Sequence, residues 1–130
     1  MKTEQTMRST EEKLVLLFSE LGTNIFQFIN GSVWNEISQY QQLSESFIRE
    51  FKDDINWINI SKYQKLSEDF IREFNGEVYW KYISKYQKLS EDFIREFADS
   101  VRWDYIFKYQ DISEDFKQEF KDKLIKLKIN

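Results

Sequence analysis

Tryptophan recurs at positions 34, 57, 80 and 103, each 23 residues after the last, and the residues between recur in register. Ser61 to Phe74 reappears letter for letter as Ser84 to Phe97, with looser copies at Ser38 to Phe51 and Phe107 to Phe120. A fixed period of this length means one supersecondary unit used repeatedly, each copy burying its apolar face against the next. Whatever structure one copy takes, the others must share.

Counted from the tryptophan as zero, apolar side chains fall at +3, +6, +9, +13, +14, +17 and +21. In the second copy these are Trp57, Ile60, Tyr63, Leu66, Phe70, Ile71, Phe74 and Val78. Steps of three and four are helical, whereas on a strand Trp57 and Ile60 would face opposite sides. Ser67 followed by Glu68 and Asp69 reads as a helix start, its hydroxyl accepting a free N–H and its carboxylates sitting at the positive end of the dipole. Leu66 and Ile71 fit a hydrophobic staple, Glu68 and Arg72 fit a pair four residues apart, and the helix is expected from Ser67 to Phe74. A second start is expected ahead of each tryptophan, capped by Asp53, Asn75 and Asp99. The corner at Gln64 to Ser67 lacks glycine, so right-handed dihedrals are expected there.

The fold class is therefore all-α: an α-solenoid of tandem short helical hairpins with divergent helical caps. One repeat has too little apolar surface to order 23 residues alone, so neighbours must share a core, with equivalent aromatic residues expected against each other. The expected organisation is a disordered N-terminus at 1–9, an N-terminal helical cap at 10–33, four repeats at 34–125, and the end of a closing helix at 126–130. Ser9-Thr10-Glu11-Glu12 reads as a capping box for a helix with Leu14, Leu17, Phe18 and Leu21 on one face. A leucine-rich-repeat horseshoe shares the period, but no copy contains its Leu-x-x-Leu-x-Leu-x-x-Asn strand.

Composition narrows the function. Histidine and cysteine are absent, which removes imidazole and thiolate metal sites, disulfides and Ser-His or Cys-His nucleophiles. Adjacent carboxylates such as Glu68/Asp69 and Glu91/Asp92 sit where a helix start wants negative charge, and the three glycines form no phosphate loop. The net charge of -4 speaks against duplex nucleic acid, and no run approaches a membrane span or a signal peptide. No enzyme, cofactor or metal is expected, and a soluble cytoplasmic protein is. Lys62-Tyr63-Gln64-Lys65 imitates a single-strand stacking platform, but +6 belongs to the apolar stripe, which places Tyr63 in the core.

The copies differ chiefly at +1, +2 and just before the tryptophan. On a helical wheel +1, +2 and the residue three before the tryptophan lie opposite the Trp/Ile stripe. Ile58, Tyr79, Lys81, Tyr82, Arg102, Asp104 and Tyr105 are the candidate protein-binding residues there, since tyrosine and isoleucine on a solvent face suit an interface. The tryptophans are assigned to packing.

The motif Trp-x-x-Ile-Ser-x-Tyr-Gln-x-Leu-Ser-Glu-x-Phe-Ile-x-x-Phe, read here from Trp80 to Phe97, resembles tandem repeats of many uncharacterised phage and large-DNA-virus proteins. The resemblance covers about residues 34 to 125 and implies a viral or mobile-element origin, with no activity attached. A non-enzymatic protein–protein interaction module is the expected function, in the form of a phage or viral inhibitor or adaptor docking on a host protein as a monomer or weak homo-oligomer. Two alternatives stay open: an acidic, anti-CRISPR-like inhibitor of a nucleic-acid-handling complex, and a self-assembling structural repeat. Asp53, Asp54, Glu77 and Asp99 would carry the first of these.

Overall fold

The computed structural model describes residues 31–129. Every regular element among them is an α-helix: α1 (Gly31–Tyr40), α2 (Glu45–Glu50), α3 (Trp57–Tyr63), α4 (Glu68–Glu73), α5 (Trp80–Tyr86), α6 (Glu91–Glu96), α7 (Trp103–Tyr109), α8 (Glu114–Glu119) and α9 (Lys121–Ile129). The expected 1–9 tail and the 10–30 part of the cap, with its Ser9 capping box, lie outside the described residues. The chain divides into two compact units, 1–64 and 65–130. In the first, α1 packs on α3; in the second, α5 packs on α7, and α7 and α8 pack on α9. The fold is an all-α tandem repeat whose helices pack in chain order within each unit, as in an α-solenoid.

The short second helix of each repeat starts where its serine says it should. Ser44, Ser67, Ser90 and Ser113 each accept, through Oγ, the N–H of the phenylalanine three residues on, at 3.0 to 3.2 Å. The first helices differ from expectation. Their N-caps are Asn56, Tyr79 and Arg102, not Asp53, Asn75 and Asp99, and only Asn56 accepts a capping bond through its own side chain. The three expected caps lie too far upstream, because residues 51–55 and their counterparts first complete a turn beyond the preceding helix. The corner also departs from right-handed dihedrals: Gln64 and Ser67 at its ends are extended, with ψ of 143° and 156°. Negative φ throughout these caps explains why no glycine is needed.

The core is built chiefly from the expected positions, but the tyrosines at +6 are exposed and, although Trp34 is buried, Trp57, Trp80 and Trp103 are only half-buried. Ile60, Phe70, Ile71, Ile83, Phe93, Ile94 and Ile106 are wholly buried, and Leu66 and Val78 nearly so. Tyr63, placed in the core by its spacing, is 48% exposed, and Tyr86 and Tyr109 match it at 49% and 43%. A seven-residue helix makes under two turns, so its last residue projects past the buried stripe. Aromatic packing likewise runs within repeats instead of between equivalent residues. Trp80 meets Phe97 at 5.0 Å and Phe93 at 6.1 Å, and Trp103 meets Phe120 at 4.6 Å and Phe116 at 6.2 Å. Each of these tryptophans also donates its indole N–H to the carbonyl five residues earlier, at 3.0 Å.

Between repeats, polar side chains do the joining. Gln64, buried at the end of α3, donates Nε2–H to Ser38 O at 2.9 Å and Gln41 O at 2.7 Å, and its Oε1 accepts from Leu43 N at 3.0 Å. Gln110 repeats all three bonds on Ser84, Gln87 and Leu89. The carbonyls so covered lie at the C-terminal end of a first helix, where intrahelical partners run out. Buried Ser38 and Ser84 add one tie each, their Oγ accepting from Asn56 N and Arg102 N. At the last of these serine positions stands Phe107, and at the last buried isoleucine position stands Lys117. There the partner is no longer a further repeat but α9, which begins directly after Phe120.

Replacing Gln64 by methionine keeps the volume and strands two carbonyls and one N–H in the interior. At ~1 to 3 kcal/mol for each unsatisfied group, Gln64→Met is expected to cost about 3 kcal/mol or more. Thermal unfolding followed by far-UV circular dichroism measures it, and a loss under about 0.5 kcal/mol would contradict the role given to this carboxamide.

Candidate functional site

The seven residues singled out in the sequence fall on the first helices and their caps. Ile58, in the first unit, is 38% exposed. In the second unit Tyr79 is 47% exposed, Lys81 and Arg102 are exposed, and Tyr82, Asp104 and Tyr105 are half-buried. Arg102 pairs with Asp104 at 3.3 Å. These two also line, with Val101, Trp103, Lys123, Lys126 and Leu127, an open groove of about 360 Å3 beside α9. Ile58 lies in the other unit and is treated apart.

The packed helices α5 and α7 build a cluster of exposed and half-buried tyrosines and lysines. Tyr82 and Tyr86 are one turn apart on α5 with ring centroids at 6.3 Å, and Tyr105 and Tyr109 repeat the pair on α7 at 5.6 Å. Lys85 lies between the two pairs. Its Nζ is 5.0 Å from the Tyr86 ring centroid, 5.3 Å from Tyr109 and 5.7 Å from Tyr105. Lys81 lies over Tyr82, Lys108 over Tyr109 and Arg102 over Tyr105, at 5.3 to 5.6 Å. Exposed cation–π contacts of this kind contribute about 0.5 to 1 kcal/mol each and hold the rings in place. The Lys85 ammonium is held above its ordinary range first by its hydrogen bond to Tyr86, against the opposing effect of desolvation, with Tyr109 and Tyr105 adding to the rise.

Charge is divided between the two helices of a repeat. Residues 79–89 carry Lys81, Lys85 and Lys88 and no carboxylate, whereas residues 90–101 carry Glu91, Asp92, Glu96 and Asp99 against Arg95 alone. Much of that acidity serves the stack. Glu68 accepts from Ser90 N at 2.6 Å and Ser90 Oγ at 3.0 Å, and Glu91 treats Ser113 in the same way. Arg72 bonds both oxygens of Glu96 and pairs with Asp69, and Arg95 does the same with Glu119 and Asp92. The expected i,i+4 pairing forms at Glu91–Arg95, at 3.8 Å, but not at Glu68–Arg72, and both arginines make shorter bonds to a glutamate of the next repeat. The guanidiniums of Arg72 and Arg95 are held above their ordinary range first by these glutamates. Among the described residues no three carboxylates converge as cation ligands, and no helix is long and apolar enough to cross a membrane.

Lys85, Tyr86, Lys108 and Tyr109 were not singled out in the sequence. Variation between copies pointed to +1 and +2, while the lysine at +5 recurs in the last three copies and the tyrosine at +6 in all four. One signal was present: +6 is tyrosine in every copy and never phenylalanine, which suits a ring whose hydroxyl reaches water. No protein-family model, curated protein or solved structure matches the chain. These comparisons lend no support to the expected likeness to phage and viral repeats.

Since Tyr86 and Tyr109 lie outside the core, changing both to alanine is expected to cost no more than about 1 kcal/mol. Phe93→Ala is expected to cost about 3 to 5. Urea titrations of the two variants beside the parent chain make the comparison, and equal losses would return +6 to the core.

Proposed function

We propose that this chain is a non-enzymatic protein-binding module that meets its partner through the exposed face of the first helices, centred on α5 and α7 of the second unit. The observation that carries the reading is the tyrosine surface itself. Tyr82, Tyr86, Tyr105 and Tyr109 lie in two turn-spaced pairs around Lys85, and Tyr86 and Tyr109 are 49% and 43% exposed in a protein whose core is complete without them. Tyrosine supplies broad contact area at low entropy cost and is enriched at interface centres. Resemblance to phage and viral repeats casts the module as an inhibitor or adaptor on a host protein. A ligand-mimic role would fall to Asp53, Asp54, Glu77 and Asp99, which are exposed, since Glu68, Glu91, Glu96 and Glu119 are engaged in joining repeats, and the tyrosine surface is preferred to it for its contact area.

Selection of short random peptides displayed on phage against the immobilised full chain tests the reading without naming a partner. Peptides enriched over an inert protein are expected to lose about tenfold or more in affinity when Tyr86 and Tyr109 are both alanine. Failure to enrich any peptide, or binding indifferent to that double change, would sink it.

A further inference from the structure

We propose that the α5/α7 tyrosine face takes an acidic, extended segment of a partner protein, whose carboxylates meet Lys85 and Lys108 while its apolar side chains lie along the ring edges that Tyr86 and Tyr109 leave exposed beside the lysines. This assignment rests on the protein-binding reading above and adds the partner's chemistry to it.

Charge complementarity carries it. Among the described residues none of Lys81, Lys85, Lys88 and Lys108 is paired with a carboxylate of the chain, although carboxylates outnumber cations overall and the net charge is -4. The neighbouring second helices show the opposite condition, with arginines and glutamates joined across repeats. Lys85 touches three rings through cation–π contacts. An ammonium has three N–H donors, and ring faces engage it without supplying a carbonyl or carboxylate acceptor. A partner carboxylate at Lys85 would complete that coordination, with phenol hydroxyls of Tyr86 and Tyr109 beside it as further donors. The surrounding aromatic carbon lowers the local dielectric, which strengthens such a pair over one in open water.

The same geometry disfavours single-stranded nucleic acid. Stacking of bases needs open ring faces, and here Lys85, Lys81 and Lys108 lie over them at 5.0 to 5.7 Å. A phosphate on every nucleotide would also run against the carboxylates of α6 and α8 in the same unit, whereas a short peptide can place a few charges where the lysines are.

The peptides enriched by the selection above decide the matter. They are expected to carry aspartate or glutamate interspersed with apolar residues, to lose about tenfold or more in affinity for the Lys85→Glu, Lys108→Glu double variant, and to weaken as salt is raised. Lys121→Glu with Lys128→Glu, which makes the same net charge change on α9, is expected to have less than about a twofold effect, with far-UV circular dichroism confirming that both variants are folded. Neutral or basic enriched peptides, or equal losses in the two double variants, would overturn the acidic assignment and leave the protein-binding reading standing. Tight binding of an oligothymidine by the parent chain, exceeding that of every peptide, would overturn both, as would the absence of any enriched peptide.

Discussion

The carboxamide of the glutamine that closes each first helix is the interaction on which the stack depends. Helices of six or seven residues are too short to persist alone, since each leaves most of its terminal N–H and C=O groups without partners. Gln64 supplies two donors and one acceptor to the preceding repeat in a single buried group, and Gln110, two repeats on and in the second compact unit, does the same. No water is needed at the corner, and no buried side-chain polar atom is left unsatisfied among the described residues. Apolar contact alone would allow neighbouring repeats to slide. Three directional bonds from one side chain set the register.

A division of labour follows from that joint. Second helices lie with their phenylalanine and isoleucine inward, and their acidic residues reach across to the next serine cap or arginine. Those carboxylates are engaged in structure, which gives the dense charge of near-identical copies a role in joining repeats. First helices have a different outer side. Their buried stripe uses the isoleucine at +3 and, on α1, α3 and α5, the serine at +4, while the residues at +1, +2, +5 and +6 lie outside that stripe. On α5 and α7 those positions gather tyrosine and lysine, with Asp104, into one surface, and the proposed binding face is placed there for that reason.

Much of this was legible in the sequence. The helical hairpin, the serine cap and the buried phenylalanines follow from local rules, since a 3–4 spacing and a Ser-Glu-Asp start act within one turn. The caps of the first helices were misplaced at Asp53, Asn75 and Asp99 because composition marks several polar residues before each tryptophan, and only the length of the preceding turn selects among them. The exposed tyrosines were misplaced for a related reason. Apolar spacing says which residues share a stripe, yet a helix that ends after seven residues stops before the stripe has turned back to the core.

The sequence by itself determined the period, the helical class, the second-helix caps and the division of charge, all of which depend on residues near one another along the chain. Tertiary structure alone decided where Gln64 and Gln110 spend their hydrogen bonds, which carboxylates are consumed in joining repeats, and that Lys85 meets tyrosines from two helices. Each of these pairs groups about one repeat apart, and the distance between them exists only once neighbouring repeats have docked.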